Sequence, residues 1–120
     1  MNDLRKRLVR VIGAGSAAYG VSLLVVPRSL AWQTGLRNAD DATLRLLAVT
    51  FGVRDLICGL AILRARDRDA LRTALLVRGL LDAGDAIACR ALLTDPGART
   101  RVTTVAAVWG ATSLALAATT

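Results

Sequence analysis

The segment FGVRDLICGL, residues 51 to 60, sets Arg54 beside Asp55 with eight uncharged residues on either side. Further along, LVRGLLDAGDAIACR carries Arg78, Asp82, Asp85 and Cys89 at the spacing i, i+4, i+7, i+11. In a helix those four positions share one face. Guanidinium and carboxylate groups in an apolar run can pair with one another, carry a proton or hold an anion or cation. Two Arg against three Asp leave one acid over, and Asp85 is the natural odd member. An unpaired carboxylate in a low-dielectric core tends to take up a proton, which makes Asp85 the favoured functional residue. Four residues could assist: Arg45 and Arg90 as neutralising cations, and Tyr19 and Trp109, whose hydroxyl and indole N–H need partners when buried.

Other chemistry is narrowed by what the chain lacks. It contains no His, so haem ligation by His, His-based zinc sites and Ser-His-Asp catalysis are excluded. Cys58 and Cys89 belong to no CxxC pair and fall at different depths along their helices, so they read as small buried apolar residues with no disulfide between them. GAGSAAYG, residues 13 to 20, has Ala18 where a dinucleotide fingerprint needs its last Gly, and reads as a helix-packing face. Neither a metal nor a cofactor is expected. Aromatics make up only 3% of the chain and do not interleave with cations, so a nucleic-acid partner is not expected either.

These charges must be positioned by helices. The 120 residues are 54% hydrophobic with a mean hydropathy of +0.49, yet 21% are charged and the formal net charge is +7. Apolar and basic together point to a membrane protein with cationic ends. Residues 11–27 and 102–120 hold no charge, and two further apolar segments lie between them. The reading is all-α: one domain over 1–120, an integral membrane four-helix bundle, up-down-up-down, with helices at about 8–27, 43–63, 70–93 and 101–119. Asp40 or Asp41 would cap the second helix and Asp69 the third, and residues 29–35 would make a short interfacial turn anchored by Trp32. Fifteen of the sixteen cations are Arg and all nine acids Asp, a bias that looks genomic rather than selected for nucleic-acid binding.

Cations set the orientation. Arg5, Lys6, Arg7 and Arg10 with Arg64, Arg66, Arg68 and Arg72 give eight on one side; Arg28, Arg37, Arg99 and Arg101 give four on the other. That excess favours cytoplasmic termini and places the chain in the cell inner (plasma) membrane. Two other readings compete. RKRLVR, an apolar stretch and Ser29-Leu30-Ala31 imitate a signal peptide, although Arg28 sits inside the supposed cleavage region. A soluble bundle with buried ion pairs is opposed by the long uncharged segments.

Inserting the third segment alone would set roughly 8 to 10 kcal/mol for its three internal charges against ~3 to 5 from its aliphatics. It is therefore expected to enter as a hairpin with the second. Counting depth from the middle of the 64–69 loop pairs Arg54 with Asp82 and Asp55 with Arg78. Small faces accompany the charges: Ala48, Gly52, Asp55 and Gly59 on the second helix, Gly13, Ala17 and Gly20 on the first, Thr103, Ala106, Gly110 and Ser113 on the fourth.

The segments FGVRDLICGLAIL, LLDAGDAIACRALLTDPG and AAVWGATSLALA together resemble a family of small uncharacterised bacterial four-helix integral membrane proteins. Its members carry G-V-R-D-x-x-x-G-L in the second helix, matched by Gly52, Val53, Arg54, Asp55, Gly59 and Leu60. They carry G-D-A in the third, matched by Gly84, Asp85 and Ala86. The resemblance spans roughly residues 10 to 118 and implies the fold and the importance of Arg54, Asp55 and Asp85; it implies no activity. Members have His before the Gly of the fourth helix, where this chain has Trp109 before Gly110.

The expected function is a non-enzymatic accessory or scaffold subunit whose Arg/Asp cluster fixes helix pairing. The expected partners are the lipid bilayer and a homo-oligomer or larger membrane complex. The alternative is a proton-coupled transporter or permeation pathway using Asp85, and the third reading a lipid- or quinone-binding membrane enzyme.

Overall fold

In the computed structural model, which describes residues 2–120, the chain forms five helices: α1 (Asp3–Val25), α2 (Ser29–Thr34), α3 (Asp41–Arg64), α4 (Arg68–Leu92) and α5 (Pro96–Ala118). There is no strand among the described residues. Each long helix starts at a side-chain cap, which takes up one of the N–H groups that a helix leaves free. Asn2 accepts from the Arg5 N–H at 2.8 Å, Asp40 from Thr43 at 2.7 Å, Asp67 from Ala70 at 2.7 Å and Asp95 from Ala98 at 3.3 Å. The Thr43 backbone N–H and hydroxyl both donate to Asp40 and hold its carboxyl below the usual range.

These caps move three expected boundaries. The first helix begins at Asp3, so Arg5, Lys6, Arg7 and Arg10 are helical; the last begins at Pro96, where Asp95 caps and proline suits the first helical position. The cap of α4 is Asp67 rather than Asp69, because Asp67 has extended backbone geometry while Asp69 already lies in the first turn. The expected turn at 29–35 is a one-and-a-half-turn helix, closed by Gly35 at φ 75°, a left-handed conformation that glycine adopts without strain.

Helices of 23 to 25 residues run roughly 35 Å at ~1.5 Å per residue, enough for a hydrocarbon core of ~30 Å. By length and composition α1, α3 and α5 could each cross a membrane; α4 does not qualify. It is as long, but Arg72, Arg78, Asp82, Asp85 and Arg90 interrupt it.

Packing is uneven. Helix α1 lies closely on α3 and α4 closely on α5, whereas α3 and α4, the two helices expected to enter as a hairpin, touch sparingly. The close seams are made by glycine. A Cβ on Gly20 would stand 2.5 Å from the Gly52 carbonyl oxygen, and one on Gly59 2.4 Å from the Ala17 nitrogen and 2.5 Å from the Gly13 oxygen. On the other side a Cβ on Gly79 would meet Leu114 Cγ at 2.5 Å. Contacting residues run in opposite order along each pair, so the paired helices are antiparallel.

Two apolar clusters fill the ends. Val9, Ile12, Ile62, Leu75, Leu116 and Ala117 pack at one, and Leu23, Leu30, Ala31, Leu44 and Ala48 at the other. Along α3 the residues Arg54 and Asp55 fall between Leu44 and Ile62, so the charges occupy the middle.

Candidate functional site

Helix α3 supplies Arg54 and Asp55, and α4 supplies Arg78, Asp82 and Asp85. Neighbouring residues on a helix diverge by about 100°. Asp55 therefore turns inward and is 5% exposed, while Arg54 leaves sideways along the gap between α3 and α4. Its guanidinium lies over the Phe51 ring, 4.8 Å from the centroid, a cation–π contact one turn earlier on the same helix.

The five side chains form one continuous ladder. Asp85 accepts both terminal nitrogens of Arg54, at 3.0 and 2.6 Å. Arg54 Nε donates to Asp55 Oδ1 at 3.2 Å, and the same oxygen accepts from a terminal nitrogen of Arg78 at 2.7 Å. Arg78 Nε donates to Asp82 Oδ2 at 3.0 Å, and its remaining nitrogen closes a second bond to Asp82 Oδ1. Each guanidinium thus engages carboxylate through all three of its nitrogens, with a fork-on-fork pair at each end. The ends differ in exposure: the Arg78, Asp55 and Asp82 side chains are 3 to 7% exposed, those of Arg54 and Asp85 22 and 26%.

Gly110 of α5 makes room for the dry end. A Cβ there would stand 3.0 Å from the Asp82 Cβ. The small face of α5 is thus what lets Asp82 sit between two helices.

The structure brings Asp55 and Arg78 together as the depth count paired them. It does not join Arg54 to Asp82. Asp82 lies one turn after Arg78 on α4 and takes up that guanidinium, an i,i+4 pair that outcompetes the cross-helix one. Arg54 turns to Asp85, which is consequently paired and not the odd acid; neither Arg45 nor Arg90, both exposed, contacts it. Tyr19 and Trp109 also find partners elsewhere. Tyr19 donates to Gln33 at 2.5 Å, and the Trp109 indole N–H donates to Ser16 Oγ at 3.2 Å while its ring covers Gly15. Phe51 escaped the reading of the sequence, although its position three residues before Arg54 was the available signal. Cys58 is a buried and Cys89 a half-buried free thiol.

Residues 13–119 match the family described as a domain of unknown function, DUF4267. The chain belongs to the DUF4267 family. The match takes in all five ladder residues and the glycine seams, and leaves outside it the cations Arg5, Lys6, Arg7 and Arg10. No curated protein and no solved structure matches the chain.

Proposed function

We propose that this DUF4267 protein is a multi-pass accessory or scaffold subunit of the bacterial inner membrane. In this reading α1, α3, α4 and α5 form an up-down-up-down four-helix bundle with cytoplasmic termini, and the GVRDxxxGL and GDA segments are the family's shared locking element.

Support for the membrane comes from α4, which is inside out for a helix in water. Its Arg78 and Asp82 are 2 and 5% exposed, while Leu80 and Ile87 on its outer side are 65 and 72% exposed. Apolar side chains on the other helices also face outward, Leu46 at 67% and Val105 at 60% among them. A surface of this kind suits hydrocarbon, and α4 becomes insertable once its charges are matched by those of α3.

The observation that carries the scaffold reading is the closed bonding of the ladder. Every nitrogen of Arg54 and Arg78 donates to a carboxylate of the same cluster, and three of these six bonds, Arg54 to Asp85 twice and Arg78 to Asp55, join the α1/α3 pair to the α4/α5 pair. Native mass spectrometry after gentle extraction into nanodiscs tests this. A defined homo-oligomer or a copurifying protein subunit is expected; a lone monomer without any partner overturns it.

A second reading keeps one observation. Three carboxylates face two guanidiniums, and the excess acid suits a proton-coupled pathway ending at the more exposed Asp85. Its test is proton flux in proteoliposomes: equal flux with and without Asp85→Asn ends it.

A further inference from the structure

Where α4 ends and α5 begins, away from the ladder, a cleft of about 260 Å³ is lined by Arg90, Arg99, Thr100, Thr103 and Thr104. Its chemistry is one-sided. Two guanidiniums and three hydroxyls line it with no carboxylate, and neither Arg90 nor Arg99 forms an ion pair among the described residues. The Thr103 hydroxyl is buried yet has no hydrogen-bond partner, although Thr112, about two and a half turns farther along α5, bonds back to its own helix at Val108. A buried hydroxyl without a partner is unfavourable, so a ligand that accepts its hydrogen bond is favoured.

We infer that this cleft binds the phosphate of an anionic phospholipid. Guanidinium pairs recognise phosphate oxygens through paired N–H donors, and threonine hydroxyls add single donors around the same group. The lipid as source follows from what lies beside the cleft. On α4, Ile87 stands one turn before Arg90 and is 72% exposed, and a Cβ on Gly84 would meet nothing within 4 Å. On α5, Val108 stands one turn after Thr104 and is 59% exposed. Cationic head cleft and apolar flank continue one another, as an acyl chain below its headgroup requires. The inference rests on the membrane reading, under which the cleft faces the leaflet opposite the termini.

The test uses purified full-length protein in detergent, titrated with phosphatidylglycerol and followed by native mass spectrometry. Wild type is compared with Arg90→Gln/Arg99→Gln, with Thr103→Val, and with Arg64→Gln/Arg66→Gln at the opposite end. Expected is at least a tenfold weaker lipid affinity in the Arg90/Arg99 variant, a two- to fivefold loss in Thr103→Val and none in Arg64/Arg66, with equal helicity by circular dichroism. Equal affinity in wild type and the Arg90/Arg99 variant overturns the site. Binding of inorganic phosphate that phosphatidylglycerol does not displace overturns the lipid and assigns the cleft to free phosphate. Detergent dependence separates the two levels: protein that stays in solution without detergent refutes the membrane reading, whereas protein that needs detergent but fails the lipid test refutes the cleft alone.

Discussion

Helix α3 is held on its two sides by opposite means. Against α1 it lies backbone to backbone through Gly20, Gly52 and Gly59, with no charge in the seam. Against α4 it stands off, bridged by five charges beside a groove of about 830 Å³ whose wall includes Ile57, Cys58, Ala74 and Val77. Dispersion between close backbones works only at contact, so the first seam tolerates no added bulk. Charge-assisted hydrogen bonds reach across a gap, so the second tolerates looseness but no missing partner.

The sharpest way to break this contrast is Arg78→Leu. The change strands Asp82 in a dry site, leaves Asp55 only its bond from Arg54 Nε, and should cost ~3–5 kcal/mol, by the behaviour of buried pairs that lose one member. Adding Asp82→Leu restores the original charge balance of the cluster and should recover at least half of the loss. Thermal unfolding in detergent, followed by the fluorescence of Trp32 and Trp109, reads both. A double variant no better than the single one would mean that the ladder acts through shape instead of charge.

Next in size comes the glycine seam. Gly59→Ala puts a methyl within 2.4 Å of the Ala17 backbone, which must move, and should cost ~1–3 kcal/mol. Gly84→Ala meets open space and should stabilise by ~0.5–1 kcal/mol, the ordinary gain of replacing a helical glycine. Equal effects from the two would deny any special contact between α1 and α3.

The two seams were unequally legible in the sequence. The small faces could be read from spacing alone, because glycine every three or four residues in an apolar run has few uses other than close approach. The set of charged residues was equally plain, since charge is costly where the chain is otherwise apolar. Their pairing was only half readable. Counting depth from a loop treats each residue as a point on its axis, and it succeeded for Asp55, whose short side chain stays near its own level. Arg54 has a long side chain and reaches past that level to Asp85. The neglected competitor was local: Arg78 and Asp82 on successive turns of one helix satisfy each other first.

The wet end of the ladder should matter less than the dry end. Arg54→Gln removes a fork on Asp85, but both side chains are more than a fifth exposed, so solvent screens much of the interaction and a loss of ~1–2 kcal/mol is expected. Asp85→Asn should cost less still, because its amide oxygen keeps one of the two bonds from Arg54. Losses matching that of Arg78→Leu would show that the ladder is uniformly dry, and the difference between its ends would vanish.

The smallest effect tests the short link from α3 to α4. Asp67 caps α4 by accepting the Ala70 N–H at 2.7 Å, whereas Asp69 sits in the first turn without that bond. Both are exposed acids at the same helix start, so they share any favourable interaction with the helix dipole and differ in the cap alone. Asp67→Ala should therefore cost ~1 kcal/mol, and Asp69→Ala no more than ~0.5 kcal/mol. Amide exchange at Ala70 and Leu71 reports the cap directly: it should rise in Asp67→Ala and hold steady in Asp69→Ala. The reverse order would place the start of α4 two residues later and draw Arg68 and Asp69 into the link, loosening the register that brings Arg78 to Asp55.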